Sequence, residues 1–149
     1  MEKRFETFTA LVTGISRAIR RIKSEEMVEF HLKGPHVSCL YHLYTGGALT
    51  ANKLCALCEE DKANMSRTIE YLEQNGYIVP RTGPRYRAAI CLTDAGMLVG
   101  EQIAKKIDRV LSLASEGVSD EHRAILYESL ARIHTNLLCV CDAYDLKSN

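Results

Sequence analysis

The sequence predicts a mainly α-helical chain with one small β-hairpin. Three observations carry that reading. Apolar residues recur at alternating steps of three and four near both ends of the chain. Two short helical runs in the middle are separated by only a few polar residues. Finally, Thr82-Gly83-Pro84 forms a turn between two strand-like runs.

From the amino end, Phe5, Phe8, Val12, Ile15, Ile19 and Ile22 follow steps of 3, 4, 3, 4 and 3, a narrow stripe on one amphipathic helix. Gly34-Pro35 is expected to end or interrupt that helix, since proline cannot continue the hydrogen-bond ladder. A short helix over about Val37 to Tyr44 should stop at Gly46-Gly47. Two further helices are expected over Ala51 to Cys58 and Lys62 to Asn75, with Asp61 as the N-cap acceptor and Gly76 as the left-handed stop. Tyr77 to Arg81 and Arg85 to Leu92 read as the strands of the hairpin. Thr93 then caps a long helix carrying Ile103, Ile107, Val110 and Ala114. Ser119-Asp120-Glu121 opens the last helix, striped by Leu126, Leu130, Ile133, Leu137, Val140 and Tyr144. Narrow apolar seams on helices at both termini are what an interdigitating homodimer needs.

Composition narrows the function classes. The 149 residues make about one domain, and 19 acidic against 19 Lys and Arg leave no overall charge to draw in DNA or a membrane surface, so any basic patch must be local. No leader segment is expected, and no apolar run approaches the roughly 20 residues that span a bilayer. Six cysteines without a secretory signal read as reduced thiols of a cytoplasmic protein. There is no glycine loop to cradle phosphate and no nucleophile paired with a base, so an enzyme is not expected.

The central helix pair carries the functional reading. In "DKANMSRTIEYLEQNGYI", Met65, Ile69 and Leu72 give an inner face, while Lys62, Ala63, Ser66, Arg67 and Glu70 point the other way and Asn64 sits at the amino-terminal edge. Lys62 and Arg67 suit phosphates or guanine edges, and Asn64 carries the donor-acceptor pair that fits adenine. The hairpin reads "RTGPRYR", three arginines and no acid in a short turn, which suits a wing laid on phosphate or in the minor groove.

These segments resemble the MarR family of winged helix-turn-helix transcriptional regulators. The resemblance rests on "LTANKLCALCEEDKANMSRTIEYLEQNGYI", the arginine-bearing wing and "LTDAG". It implies a winged helix-turn-helix at residues 36–93, a connecting helix at 94–116, and long dimerisation helices at 1–33 and 119–149, within a single domain of residues 1–149. It also implies a homodimer on pseudo-palindromic double-stranded DNA, acting as a repressor and tuned by a small-molecule effector. Lys62, Asn64, Ser66 and Arg67 fall at contact positions of the recognition helix, with Arg81, Arg85 and Arg87 in the wing. Either Arg85 or Arg87 is the wing-tip contact. The family's Asp-x-Arg is absent from the wing, Pro84 standing near the Asp position. Glu59 stands where the turn often has glycine.

The remaining residues bear on regulation. By the resemblance, His36, Tyr41, His42 and Tyr44 lie where an effector pocket is found. Cys55-x-x-Cys58 has zinc-like spacing, but two further ligands are lacking, and both cysteines fit as small hydrophobes behind the reading helix. No metal or cofactor is expected. The alternative is a thiol- or metal-based sensor that uses its winged helix as a protein-interaction module, with Cys39 as the thiol best placed for it.

Overall fold

The computed structural model describes residues 4–83 and 88–147; the side chains of Arg4 and Phe5 and residues 84–87 lie outside the described residues. Helix α1 (Arg4–Glu26) keeps its apolar stripe in solvent, with Val12 43%, Ile15 58% and Ile19 50% exposed. It ends eight residues before the expected Gly34-Pro35 stop. Met27 turns into the core, a single 3-10 turn covers Val28–Phe30, and His31 closes it at a left-handed φ of 54°. Glu26 is held there by Lys106 at 3.0 Å and by Arg109. Gly34-Pro35 begins the next helix instead of ending the last, because proline's fixed φ and missing N–H suit a first turn.

Helices α2 (Gly34–Gly46), α3 (Ala51–Cys58) and α4 (Lys62–Gln74) pack against one another. Their shared core holds Val37, Cys39, Leu40, Leu43, Leu54, Met65, Ile69 and Leu72. Thr50 caps α3, accepting from the Lys53 amide at 3.3 Å, and Asp61 caps α4, accepting from the Asn64 amide at 2.8 Å. Between them Glu59 adopts a left-handed φ of 53°, a conformation a side-chain-bearing residue enters at a cost. Cys55 and Cys58 pack against the core as small apolar side chains.

Among the described residues there is no continuous strand: an isolated antiparallel bridge joins Ile78 to Leu92 within the expected hairpin, and another joins Leu49, ahead of α3, to Ile90. The Ile78 bridge is flanked by the Val79 amide donating to the Cys91 carbonyl at 2.9 Å. The short ladder leads into α5 (Asp94–Ala114). Here Thr93 bonds in two directions: its hydroxyl donates to the Gly76 carbonyl at 2.6 Å and accepts from the Gly96 amide at 3.1 Å. A Cβ on Gly96 would stand 2.1 Å from the Tyr77 carbonyl oxygen, so only glycine lets this helix reach the end of α4.

The chain divides into two compact units after Arg109. The second contains α6 (Asp120–Lys147), opened by Ser119, whose hydroxyl accepts from the His122 amide at 3.2 Å. No residue of α6 is buried, and its stripe stays in solvent, Leu130 being 39% and Val140 50% exposed. No helix among the described residues is long and apolar enough to cross a membrane.

Replacing Gly96 with alanine should lower the unfolding free energy by about 3 kcal/mol, because backbone must move to admit the methyl group. Urea titration checks this, and a midpoint within error of the parent would contradict the close approach. Glu59→Gly should act in the opposite direction, by about 1 kcal/mol, by relieving the left-handed strain.

Candidate nucleic-acid interface

Helix α4 is two-faced. Met65, Thr68, Ile69 and Leu72 are buried, whereas Lys62, Ala63, Ser66, Arg67 and Glu70 are exposed. At a rise of about 1.5 Å per residue, Lys62 and Arg67 lie about 7.5 Å apart along the axis, within reach of neighbouring base steps. Lys62 makes no ion pair among the described residues, so its ammonium is available to a phosphate.

Asn64 differs from its sequence reading. Its carboxamide is engaged within the helix: Nδ2 donates to Asp61 Oδ2 at 3.1 Å, and Oδ1 accepts from Arg67 Nη2. One donor and one acceptor of the carboxamide are therefore engaged within the chain, and the outer end of this series is the Arg67 guanidinium. Sequence reasoning treated Asp61 as a cap alone. The signal was present as Asp-x-x-Asn-x-x-Arg, three residues at steps of three on one helix face.

Arg81 also stands differently from a phosphate-seeking arginine. Its side chain is only 11% exposed and its guanidinium lies 3.5 Å from Glu73 of α4, while its backbone amide donates to the same carboxylate at 3.3 Å. Arg81 thus fastens the root of the expected wing to α4. Arg85 and Arg87 lie outside the described residues. A cleft of about 670 Å³ runs beside α4, floored by Ala51, Cys55, Met65 and Ile69 and rimmed by Lys62, Ser66, Glu70 and Arg81.

The residues expected to line an effector pocket do not border that cleft. His36 is buried, stacked on Tyr71 of α4 with ring centres 4.1 Å apart and planes 6° from parallel. Its Nδ1 accepts from the Lys33 amide at 3.1 Å, so the ring is neutral with its proton on Nε2. Tyr71 completes the link by donating its hydroxyl to the His31 carbonyl at 3.1 Å. Tyr41 and His42 meet edge to face, and Tyr44 packs over Gly100.

Burial, reinforced by Lys33, pulls the His36 pKa below its ordinary 6.5, and burial with Lys23 does the same for His42. Burial pushes the Cys39 thiol up to about 12 and the Cys58 thiol up to about 11. Among the described residues no cluster of His, Cys, Asp and Glu could hold a metal ion.

For a histidine whose folded pKa is depressed, the unfolded chain binds the proton more readily. Stability is then complete above 6.5 and is lost as pH falls through that value toward the folded pKa. The denaturation midpoint should drop between about pH 6.5 and 5, and His36→Gln, which keeps an acceptor for the Lys33 amide but cannot titrate, should flatten the slope. An unaltered slope in that variant would remove His36 as the cause.

Comparison with known proteins follows this geometry. A MarR family model matches residues 30–86. No curated protein matches the chain by sequence. Among solved structures, S. aureus MepR in a DNA-binding conformation is 19% identical with a TM-score of 0.79, over 87% of this chain and 98% of that one. A MarR protein from Peptoclostridium difficile is 19% identical with a TM-score of 0.78, over 92% of this chain and 91% of the other. A MarR-family regulator from Listeria monocytogenes, solved with a 26mer DNA, is 20% identical with a TM-score of 0.77, over 92% and 90%. Such identities speak for the fold, and the family model speaks for the central segment. The centre of this chain thus matches a MarR family model, and over most of its length its fold is similar to that of solved MarR-family proteins.

Proposed function

We propose that this protein is a cytoplasmic, sequence-specific DNA-binding transcription regulator. It acts as a homodimer on a pseudo-palindromic operator, as a repressor whose occupancy a small-molecule effector tunes. One observation carries the reading. Helix α4 buries Met65, Ile69 and Leu72 in the core while presenting Lys62, Ser66 and Arg67 to solvent, which is the division of labour a helix in the major groove requires. The solved relatives support it, one in a DNA-binding conformation and another bound to a 26mer DNA.

Lys62 and Ser66 serve phosphate and base contacts, and Arg67 reads guanine. The hairpin is the wing, rooted by Arg81, with Arg85 or Arg87 at its tip. Dimerisation is supported by the apolar stripes of α1 and α6, which are left in solvent and need a second surface. His36, Tyr41, His42 and Tyr44 all stand on α2, where an effector would bear on α4 through the Tyr71 stack.

A thiol sensor is the weaker reading. The nucleophile in thiol oxidation is the thiolate, and burial holds Cys39 and Cys58 as protonated thiols.

Purified protein should bind its own upstream DNA with an affinity that falls steeply as salt rises. Arg67→Ala should weaken that binding by about 10- to 100-fold, while the sedimentation coefficient stays that of the dimer. Folded, dimeric protein that shows no salt-sensitive DNA binding would defeat the proposal. Ile15→Glu, placing a charge in the exposed stripe of α1, should shift the sedimenting species toward monomer. A dimer of undiminished affinity would take α1 out of the interface.

A further inference from the structure

We infer that Asp61 is a specificity-determining positioning residue. It clamps the Asn64 carboxamide, which in turn aims the Arg67 guanidinium at a single guanine of each half-site. The inference rests on the DNA-binding reading and deepens it, because it says which base is read and what fixes the reader.

Three contacts form the relay. The Asn64 amide donates to Asp61 Oδ1 at 2.8 Å, and its side-chain Nδ2 donates to Asp61 Oδ2 at 3.1 Å. Both carboxylate oxygens are thereby used by one residue, and that fixes which way round the carboxamide stands. With Nδ2 turned to Asp61, Oδ1 must face the other way, where Arg67 Nη2 donates to it. A carboxylate can only accept, a carboxamide accepts at one end and donates at the other, and a guanidinium can only donate. The order Asp, Asn, Arg is thus one in which every group has the partner its chemistry demands.

The consequence lies in the guanidinium. A free arginine at an exposed helix position samples many rotamers and gives up that freedom on binding. Held at one nitrogen by Asn64, Arg67 keeps four of its five N–H groups for a partner, and a pair of them matches the O6 and N7 acceptors of guanine. Asn64 is then a support and reads no base of its own. Asp61 acts through Asn64 and touches no DNA.

The relay is tested at its first member without removing the helix cap. Asp61→Asn is close to isosteric, and asparagine caps helices as well as aspartate does. It replaces one acceptor oxygen by a donor, however. Asn64 must then turn its oxygen toward residue 61, which points its Nδ2 at Arg67, donor against donor, and releases the guanidinium. Removing a negative charge beside the DNA raises affinity for all sequences alike. Only the relay makes it relax one base preference.

Sites selected from a random DNA pool should show one guanine position in each half-site for the parent protein. In Asp61→Asn, in Asn64→Ala and in Arg67→Ala, preference at that same position should fall by about tenfold, with the other positions and the dimer unchanged. Combining Asp61→Asn with Arg67→Ala should relax it no further than Arg67→Ala alone. Full selectivity in Asp61→Asn overturns the relay, and so does an Asn64→Ala variant that relaxes a different, adenine position. A folded parent protein that selects no sequence at all overturns the DNA-binding reading underneath. Thermal denaturation of each variant keeps these outcomes apart from loss of the fold.

Discussion

A helix that keeps a polar face in a fixed direction must be gripped from behind, and the burial of one face of α4 supplies the grip. Met65, Ile69 and Leu72 are at most 1% exposed, and Thr68 closes the same face. They share one core with Leu40 and Leu43 of α2 and Leu54 of α3, so α4 is part of the core. Rotating α4 about its axis would drag four buried side chains into water. That resistance lets small polar residues on the outer face keep a fixed direction.

The far end of the helix is secured by a different kind of bond. At the Gly76–Gly96 junction, Thr93 ties the end of α4 to the start of α5 through one hydroxyl, and its own amide donates to the Tyr77 carbonyl at 3.0 Å. Gly96 leaves room for that carbonyl. Thr-x-x-Gly after the wing is therefore a backbone joint, and it explains why a short threonine-glycine motif can mark this fold in a sequence. The His36–Tyr71 stack ties that same carboxyl-terminal turn of α4 to the start of α2, and the Asp61 cap secures the amino end, so α4 is held at both ends as well as along its inner face.

What was legible in the sequence follows from how local each cause is. The bounds of α3 and the start of α4 were readable because Thr50 and Asp61 act within one helical turn of themselves. The terminal stripes were readable because periodicity survives whatever covers it. The stop of α1 at Glu26 was not, since it depends on Met27 entering the core and on Lys106, 80 residues away, holding Glu26. Of the two expected strands the described residues show only isolated bridges, because β-branched and aromatic composition marks a segment that can pair without fixing how far the pairing runs. Arg81 counted toward a basic wing in the sequence, yet its charge is used by Glu73, a pairing that needs the chain to fold back on α4. The bonds of Asn64 to Asp61 and Arg67 were not foreseen, because a side chain's partners cannot be read from its type alone.

The cysteines packed behind α4 have a use of another sort. Cys39 is fully covered and its thiol is pushed up to about 12, so at neutral pH an alkylating reagent meets neither an accessible sulfur nor a thiolate. It can react only when α2 parts from its neighbours. The rate of its modification is thus a clock for local opening of the helix packing, and it counts excursions that leave the remainder of the chain folded.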